Sequence, residues 1–298
     1  MSEIFSWLRR AELEKRKERA ESVAEPAALH PADQGEAAIA VESEPVLSEL
    51  AQTKIDIRND ARFDLAAADQ RIRSVLDPLT AVGEQYRLLR ARLSILQKER
   101  GMKTLLVTSS VPVEGKTFTA CCLAGVFAQE PGRRVLLIDA DLRKPKAAQD
   151  LGMKSGNNID GLSQVLRGEK TVNDVLLGSS KMDFFLLPAG PVPDDPAELL
   201  SSPNLERAIK TMAAVFDWVV IDSPPALALA DATLIAPLCD AALLVVRTDK
   251  TPSKLVQEAI KRIGRARICG LVMNRGRHVK SSHYYYYHYY RKDRGRRQ

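Results

Sequence analysis

Six short runs rich in Leu, Val and Ile, over 104–108, 135–139, 184–188, 218–222, 241–247 and 268–274, recur along this 298-residue chain. They are continuous rather than alternating. A strand with one wet face alternates apolar and polar side chains, so uninterrupted runs belong to strands covered on both faces. Between them lie helical periodicities at 116–129, 198–216 and 253–264, long enough to serve as crossovers between parallel neighbours. The predicted fold class is α/β, with one open, mostly parallel sheet and helices on both faces.

The flanks have a different texture. Residues 1–21 read as a short charged helix with Ile4, Phe5, Trp7, Leu8 and Leu13 as its apolar positions. Over 22–53 every charge but that of His30 is acidic and sits among Ala and Pro, which is a linker composition. We expect a mostly flexible segment over 1–80, a folded domain over 81–275 and a basic tail over 276–298. Six of the seven tyrosines, Tyr284, Tyr285, Tyr286, Tyr287, Tyr289 and Tyr290, fall in that tail. From Arg275 onward eight Lys and Arg residues stand against the single acid Asp293, so the tail cannot bury enough apolar surface to fold alone.

That local basicity accounts for the net charge of +6, and a concentrated tail is not the charged face that nucleic acid requires. Cys121, Cys122, Cys239 and Cys269 lie in apolar runs without metal-ligand spacing and read as structural thiols of a reducing compartment. No apolar run approaches the roughly 18–20 residues of a membrane span, and the N-terminus lacks a signal-peptide core. The chain therefore reads as cytoplasmic.

The first apolar run leads into Ser109-Ser110-Val111-Pro112-Val113-Glu114-Gly115-Lys116-Thr117 and then a helix. Strand, loop and helix in that order make a phosphate-binding loop. Pro112, Val113, Glu114, Gly115, Lys116, Thr117 and Phe118 are the candidate nucleotide contacts. Lys116 suits the β and γ oxygens of ATP, and the Thr117 hydroxyl suits Mg²⁺. The strict pattern has Gly where this chain has Ser110, and Val113 stands where a small residue is more comfortable. Two further runs end in acids, at Asp139, with Asp141 two residues on, and at Asp222. Acids at the carboxyl edge of a parallel sheet point into the ligand crevice. Lys116, Asp139, Asp141 and Asp222 are the candidate catalytic set; Thr117 and the three aspartates are the candidate Mg²⁺ ligands, with Asp139 or Asp141 as a base for a phenol proton.

Ser-Ser-x-Pro-x-Glu-Gly-Lys-Thr, Leu-Leu-Ile-Asp-x-Asp-x-Arg and Val-Val-Ile-Asp-x-Pro-Pro together resemble the Walker A, A′ and B motifs of the bacterial tyrosine kinases of capsule and exopolysaccharide synthesis. The likeness covers roughly residues 80–290 and implies a P-loop NTPase-like fold. It extends to Leu186-Leu187-Pro188-Ala189-Gly190 and to Pro196-Ala197-Glu198-Leu199-Leu200. It also includes Glu84, Arg87 and Arg90, which match the family's E-x-x-R-x-x-R subunit-contact motif. The resemblance implies an ATP- and Mg²⁺-dependent kinase that forms a ring, each subunit phosphorylating its neighbour's tyrosine tail. Its implied partners are further copies of itself, a membrane polysaccharide co-polymerase that holds it at the inner membrane face, and a tyrosine phosphatase. Asn274 matches the place where related ATPases read adenine, and it equally suits a strand-end turn. Arg143 and Lys144 suit a phosphate or the acceptor, and equally a solvated loop.

Two other classes share the fold pattern. Partition-type ATPases carry a signature lysine five residues before the P-loop lysine, where this chain has Val111. A catalytically weak nucleotide-binding regulator of polysaccharide assembly is favoured by Val113.

Overall fold

The computed structural model describes residues 62–153 and 159–276. The elements, in chain order, are β1 (Arg62–Phe63), α1 (Gln70–Leu76), α2 (Ala81–Arg100), β2 (Thr104–Ser109), α3 (Lys116–Ala128), β3 (Val135–Asp139) and α4 (Ala147–Asp150). Then come α5 (Leu162–Arg167), α6 (Val172–Val175), β4 (Leu177–Ser179), β5 (Phe184–Leu187), α7 (Pro196–Ser201) and α8 (Pro203–Val215). The last are β6 (Trp218–Asp222), α9 (Asp231–Ile235), β7 (Ala241–Arg247), α10 (Ser253–Ile263) and β8 (Ile268–Asn274).

All six apolar runs are strands of one sheet, ordered β1-β4-β5-β3-β6-β2-β7-β8. The six from β5 to β8 are parallel to their neighbours, and β4 runs antiparallel to β5. Every residue of β2, β3, β5 and β6 is buried, as two-sided coverage demands. Helix α3 is buried along nearly its whole length and lies between the sheet and the pair α1 and α2. Phe127 of α3 stacks on Trp218 of β6 with ring centroids 4.4 Å apart. The register sets Asp139 opposite Asp222 and Val107 opposite Asp222, so β2, β3 and β6 deliver their ends to one point.

The fold begins well before residue 81, which corrects the expected flexible segment over 1–80 for its last part. Phe63 meets Phe184 edge to face at 5.4 Å, and Ile72 and Val75 are fully buried. Asp69 caps α1 by accepting from Arg71 N at 2.8 Å, and a Cβ on Gly152 would lie 2.3 Å from the Ala67 carbonyl. The periodic stretch 198–216 is two helices rather than one. Pro203 has no N–H to continue α7 and opens α8 instead, as Pro does at a first helical position. The expected helix over 1–21, the linker over 22–53 and the tyrosine run lie outside the described residues.

Replacing Ile72 by Ala should lower stability in urea unfolding by about 2–5 kcal/mol. Leu79→Ala, at a side chain 68% exposed, should stay within about 0.5 kcal/mol of the parent. Equally small effects at both sites would contradict the packing described for α1.

Candidate nucleotide site

Between β2 and α3 the chain curls through residues 110–115. Val113 has φ 67° and Gly115 φ 95°, both left-handed. At Gly115 the conformation and the space both require glycine, because a Cβ there would lie 2.1 Å from Asn274 Nδ2. At Val113 the backbone is strained, since a β-branched residue rarely adopts positive φ. Helix α3 starts directly after Gly115 without a side-chain cap, so its first N–H groups are free to meet an anion.

The Lys116 ammonium sits among the acids. Its Nζ lies 2.7 Å from Asp141 Oδ2 and 3.7 Å from Asp222 Oδ2, with the Thr117 hydroxyl 3.2 Å away. Burial works against that charge, but Asp222, Asp141 and Asp139 outweigh it and hold the lysine above its ordinary value. The three acids differ in their surroundings. Asp139 accepts from Asp141 N through Oδ1, and from Lys146 N and Ala147 N through Oδ2. It organises the β3–α4 turn through these three backbone bonds, and Oδ1, with a single donor, keeps acceptor capacity. Burial lifts it to about 6 against those backbone donors. Asp141 gives Oδ1 to Lys144 N and Oδ2 to Lys116.

Asp222 is wholly buried, and neither of its oxygens makes a well-formed hydrogen bond; its polar neighbours are the Lys116 ammonium at 3.7 Å and the Thr117 hydroxyl. Burial pushes it up to about 7, the Lys116 ammonium opposing. An orphaned buried carboxylate needs an explanation, and a hard cation supplies one. Among the described residues no three His, Cys, Asp or Glu side chains form a metal cage. Mg²⁺ does not need one, since it takes one or two protein ligands and fills the rest with water and phosphate. Asp222 with the Thr117 hydroxyl fits that demand.

Other expected contacts are redirected. The Glu114 side chain is turned into the protein, where it accepts from Val111 N, Arg247 N and Thr251 Oγ1. Phe118 packs edge to face on Tyr86, with the Arg71 guanidinium 5.6 Å from its ring, so its side chain leaves the crevice. The Arg143 guanidinium is oriented by Asp231 in a two-point pair at 2.8 and 3.2 Å through Nε and Nη2. Asn274 is drawn onto the loop, its Nδ2 donating to the Glu114 carbonyl at 2.8 Å. Pro112 and Val113 remain at the exposed tip.

Glu84, Arg87 and Arg90 do not form one free face on α2. Arg87 pairs with Glu84 at 2.9 Å, whereas Arg90 turns inward to the Val126 carbonyl and Glu130 at the end of α3. The four cysteines are free thiols and three are buried, as structural cysteines are. No helix among the described residues is long and apolar enough to cross a membrane. The buried Asp231 and the Thr251 hydroxyl escaped the sequence reading. Neither lies in a motif, and no local spacing marks them.

A parallel sheet that places a lysine, a helix N-terminus and strand-end carboxylates in one crevice defines a P-loop nucleotide-binding protein. Residues 112–267 match the AAA domain family. The tyrosine-protein kinase YwqD of Bacillus subtilis is 35% identical over 213 residues, covering 71% of this chain and 88% of that protein. The tyrosine-protein kinase wzc of Salmonella typhimurium is 33% identical over 67% of this chain, which is only 28% of its own length. The solved kinase domain of the Escherichia coli tyrosine kinase ETK superposes with a TM-score of 0.64 at 30% identity, over 69% of this chain and 80% of that one. The chain belongs to the bacterial tyrosine-protein kinases.

Asp222 carries a pH signature. Its folded value of about 7 lies above the ordinary 3.8, so between those limits the folded state keeps a proton that the unfolded chain has released. Stability therefore falls as pH rises across that interval. Without nucleotide or metal, Asp222→Asn should gain on the parent progressively from about pH 4 to pH 7 in urea unfolding. Parallel stability curves would contradict the assignment.

Proposed function

We propose that the chain is an ATP-dependent tyrosine autokinase that phosphorylates the tail tyrosines of a neighbouring copy. The observation that carries this reading is the orphaned carboxylate of Asp222, buried beside the Lys116 ammonium at the mouth of the phosphate loop. Family membership and the tyrosine run of the tail support the choice of acceptor.

In this reading the α3 N-terminus and the loop N–H groups hold the phosphates, and Lys116 moves from Asp141 onto the β and γ oxygens. Thr117 and Asp222 would hold Mg²⁺, which neutralises charge on the triphosphate. A tyrosine phenol oxygen forms the new bond to the γ-phosphorus, and the bond from that phosphorus to the bridging oxygen breaks, releasing ADP. Asp141, freed from Lys116, accepts the phenol proton; Asp139 is tied to three backbone N–H groups of the β3–α4 turn.

The tail leaves at residue 276, so eight residues separate its root from Tyr284 and fourteen from Tyr290. Fully extended, these span about 26–29 Å and about 46–50 Å, enough to reach a second subunit. Its basic charge draws it to the acids and to ATP. Six phosphotyrosines would add roughly −9 to −12, which overturns the tail's local net of +7, eight basic residues against one acid. An attracted tail becomes a repelled one, and a ring built on that contact loosens. Polysaccharide polymerisation and export are the process we assign to this cycle, with a membrane co-polymerase as activator and a phosphatase to reset it. The partition-type alternative lacks its lysine at Val111 and leaves the tail without use.

Full-length Lys116→Met protein, mixed with an active chain truncated before Ser281 and given ATP and Mg²⁺, tests transfer between chains. Phosphotyrosine should appear on the inactive full-length chain. Labelling of the parent protein alone would sink transfer between subunits, and no phosphotyrosine in any mixture would sink the kinase reading itself.

A further inference from the structure

Glu114 is a buried carboxyl group that the proposed reaction does not use. It is 1% exposed, no Lys or Arg among the described residues forms an ion pair with it, and its side chain meets three donors. Oε2 accepts from Val111 N at 2.9 Å, closing the backbone over Pro112 and Val113. Oε1 accepts from Arg247 N at 3.0 Å and from the Thr251 hydroxyl, both in the connection between β7 and α10. Its carbonyl receives a fourth bond from Asn274 Nδ2 at 2.8 Å.

Those bonds explain the strain in the loop. A β-branched residue at φ 67° is strained and persists only where its surroundings over-determine it. Glu114 supplies that determination from the next position in the chain, with Gly115, also left-handed, on its far side. The clamp continues outward through Asn274. The Asn274 carbonyl accepts from Thr248 N at 2.9 Å, and its Oδ1 accepts from Arg275 N at 2.8 Å. Arg275 then turns into the left-handed region at φ 56°, and Gly276 opens the tail. One run of hydrogen bonds thus joins the phosphate loop, the β7–α10 connection and the root of the tyrosine tail.

We propose that Glu114 is a positioning residue that locks the phosphate loop to the β7–α10 connection and, through Asn274, sets the point from which the tail leaves. The coupling rests on the kinase reading for its purpose, but not for its test. A loop held in its binding shape before nucleotide arrives does not have to be ordered on binding. A tail root tied to that same loop departs in a fixed direction only while the loop is formed. Nucleotide occupancy and tail presentation become one mechanical unit, joined by side chains more than 130 positions apart in sequence.

Glu114→Gln keeps the volume but turns an amide NH₂ toward backbone and hydroxyl donors. Thr251→Val removes one donor with little change in volume, and Thr251→Ser restores it. With full-length proteins, the readouts are the affinity for a fluorescent ADP analogue with Mg²⁺, the KM-against-kcat split, and amide exchange at residues 111–115 and 274–276. Glu114→Gln should weaken the analogue about tenfold or more, as a lost hydrogen bond to a charged group does, and should speed exchange in both segments. Thr251→Val should move both in the same direction by less, and Thr251→Ser should match the parent. KM should rise more than kcat falls. If Glu114→Gln does not fold, Thr251→Val and its serine rescue decide alone. Affinity within twofold of the parent in the folded variants, or faster exchange at 111–115 with 274–276 unmoved, would overturn the proposal. Tail phosphotyrosine in the parent protein reports separately on the kinase reading.

Discussion

The Lys116 ammonium is held between Asp141 and Asp222 at the edge where β2, β3 and β6 end together, and the rest of the site is arranged around it. An ammonium and a carboxylate about 4 Å apart attract by roughly 4 kcal/mol at the effective dielectric of a protein. Burial of Asp222 still wins, since that acid sits near 7 rather than below its ordinary value. The centre therefore holds more negative character than one lysine can satisfy. Mg²⁺ and a triphosphate, bound as proposed, would change both sides of that balance at once, with lysine, acid and hydroxyl acting together.

The sheet was legible because its central strands are covered on both faces; β8, at the edge, carries the same apolar run but is only half-buried. Val135–Asp139, Trp218–Asp222, Ala241–Arg247 and Ile268–Asn274 stand where their unbroken apolar runs put them. The opposite edge was not. β4 is three residues long and contains a glycine, and β1 is a pair whose only apolar member is Phe63, too little pattern to separate from loop. The stretch 62–76 was hidden in the same way, because Ile72 and Val75 are the only α1 side chains fully driven into the core. The break between α7 and α8 had a signal in Ser202-Pro203, outweighed by the apolar periodicity on either side.

At the site, residue types were legible and their division of labour was not. Strand-end position brought Asp139, Asp141 and Asp222 to one place. The backbone of the β3–α4 turn, which donates to both oxygens of Asp139, gives that acid a structural duty the other two lack. Arg143 and Glu114 have the same lesson. Each looked free for a phosphate in sequence, and each is held by a partner, Asp231 or the β7–α10 connection, that no local spacing announces. Val113 was legible as a misfit, and its left-handed backbone is the physical form of that misfit.

The proposed reaction draws together a phosphate loop braced by a buried carboxyl group, a lysine shared among acids and a basic terminus crowded with phenols. The most direct measurement is to give the full-length protein ATP and Mg²⁺ and to locate the transferred phosphate by mass spectrometry, with Lys116→Met as the control. Phosphotyrosine confined to residues 284–290 and absent from the control is the expected result. Inorganic phosphate released with every tyrosine of that run unmodified would contradict it.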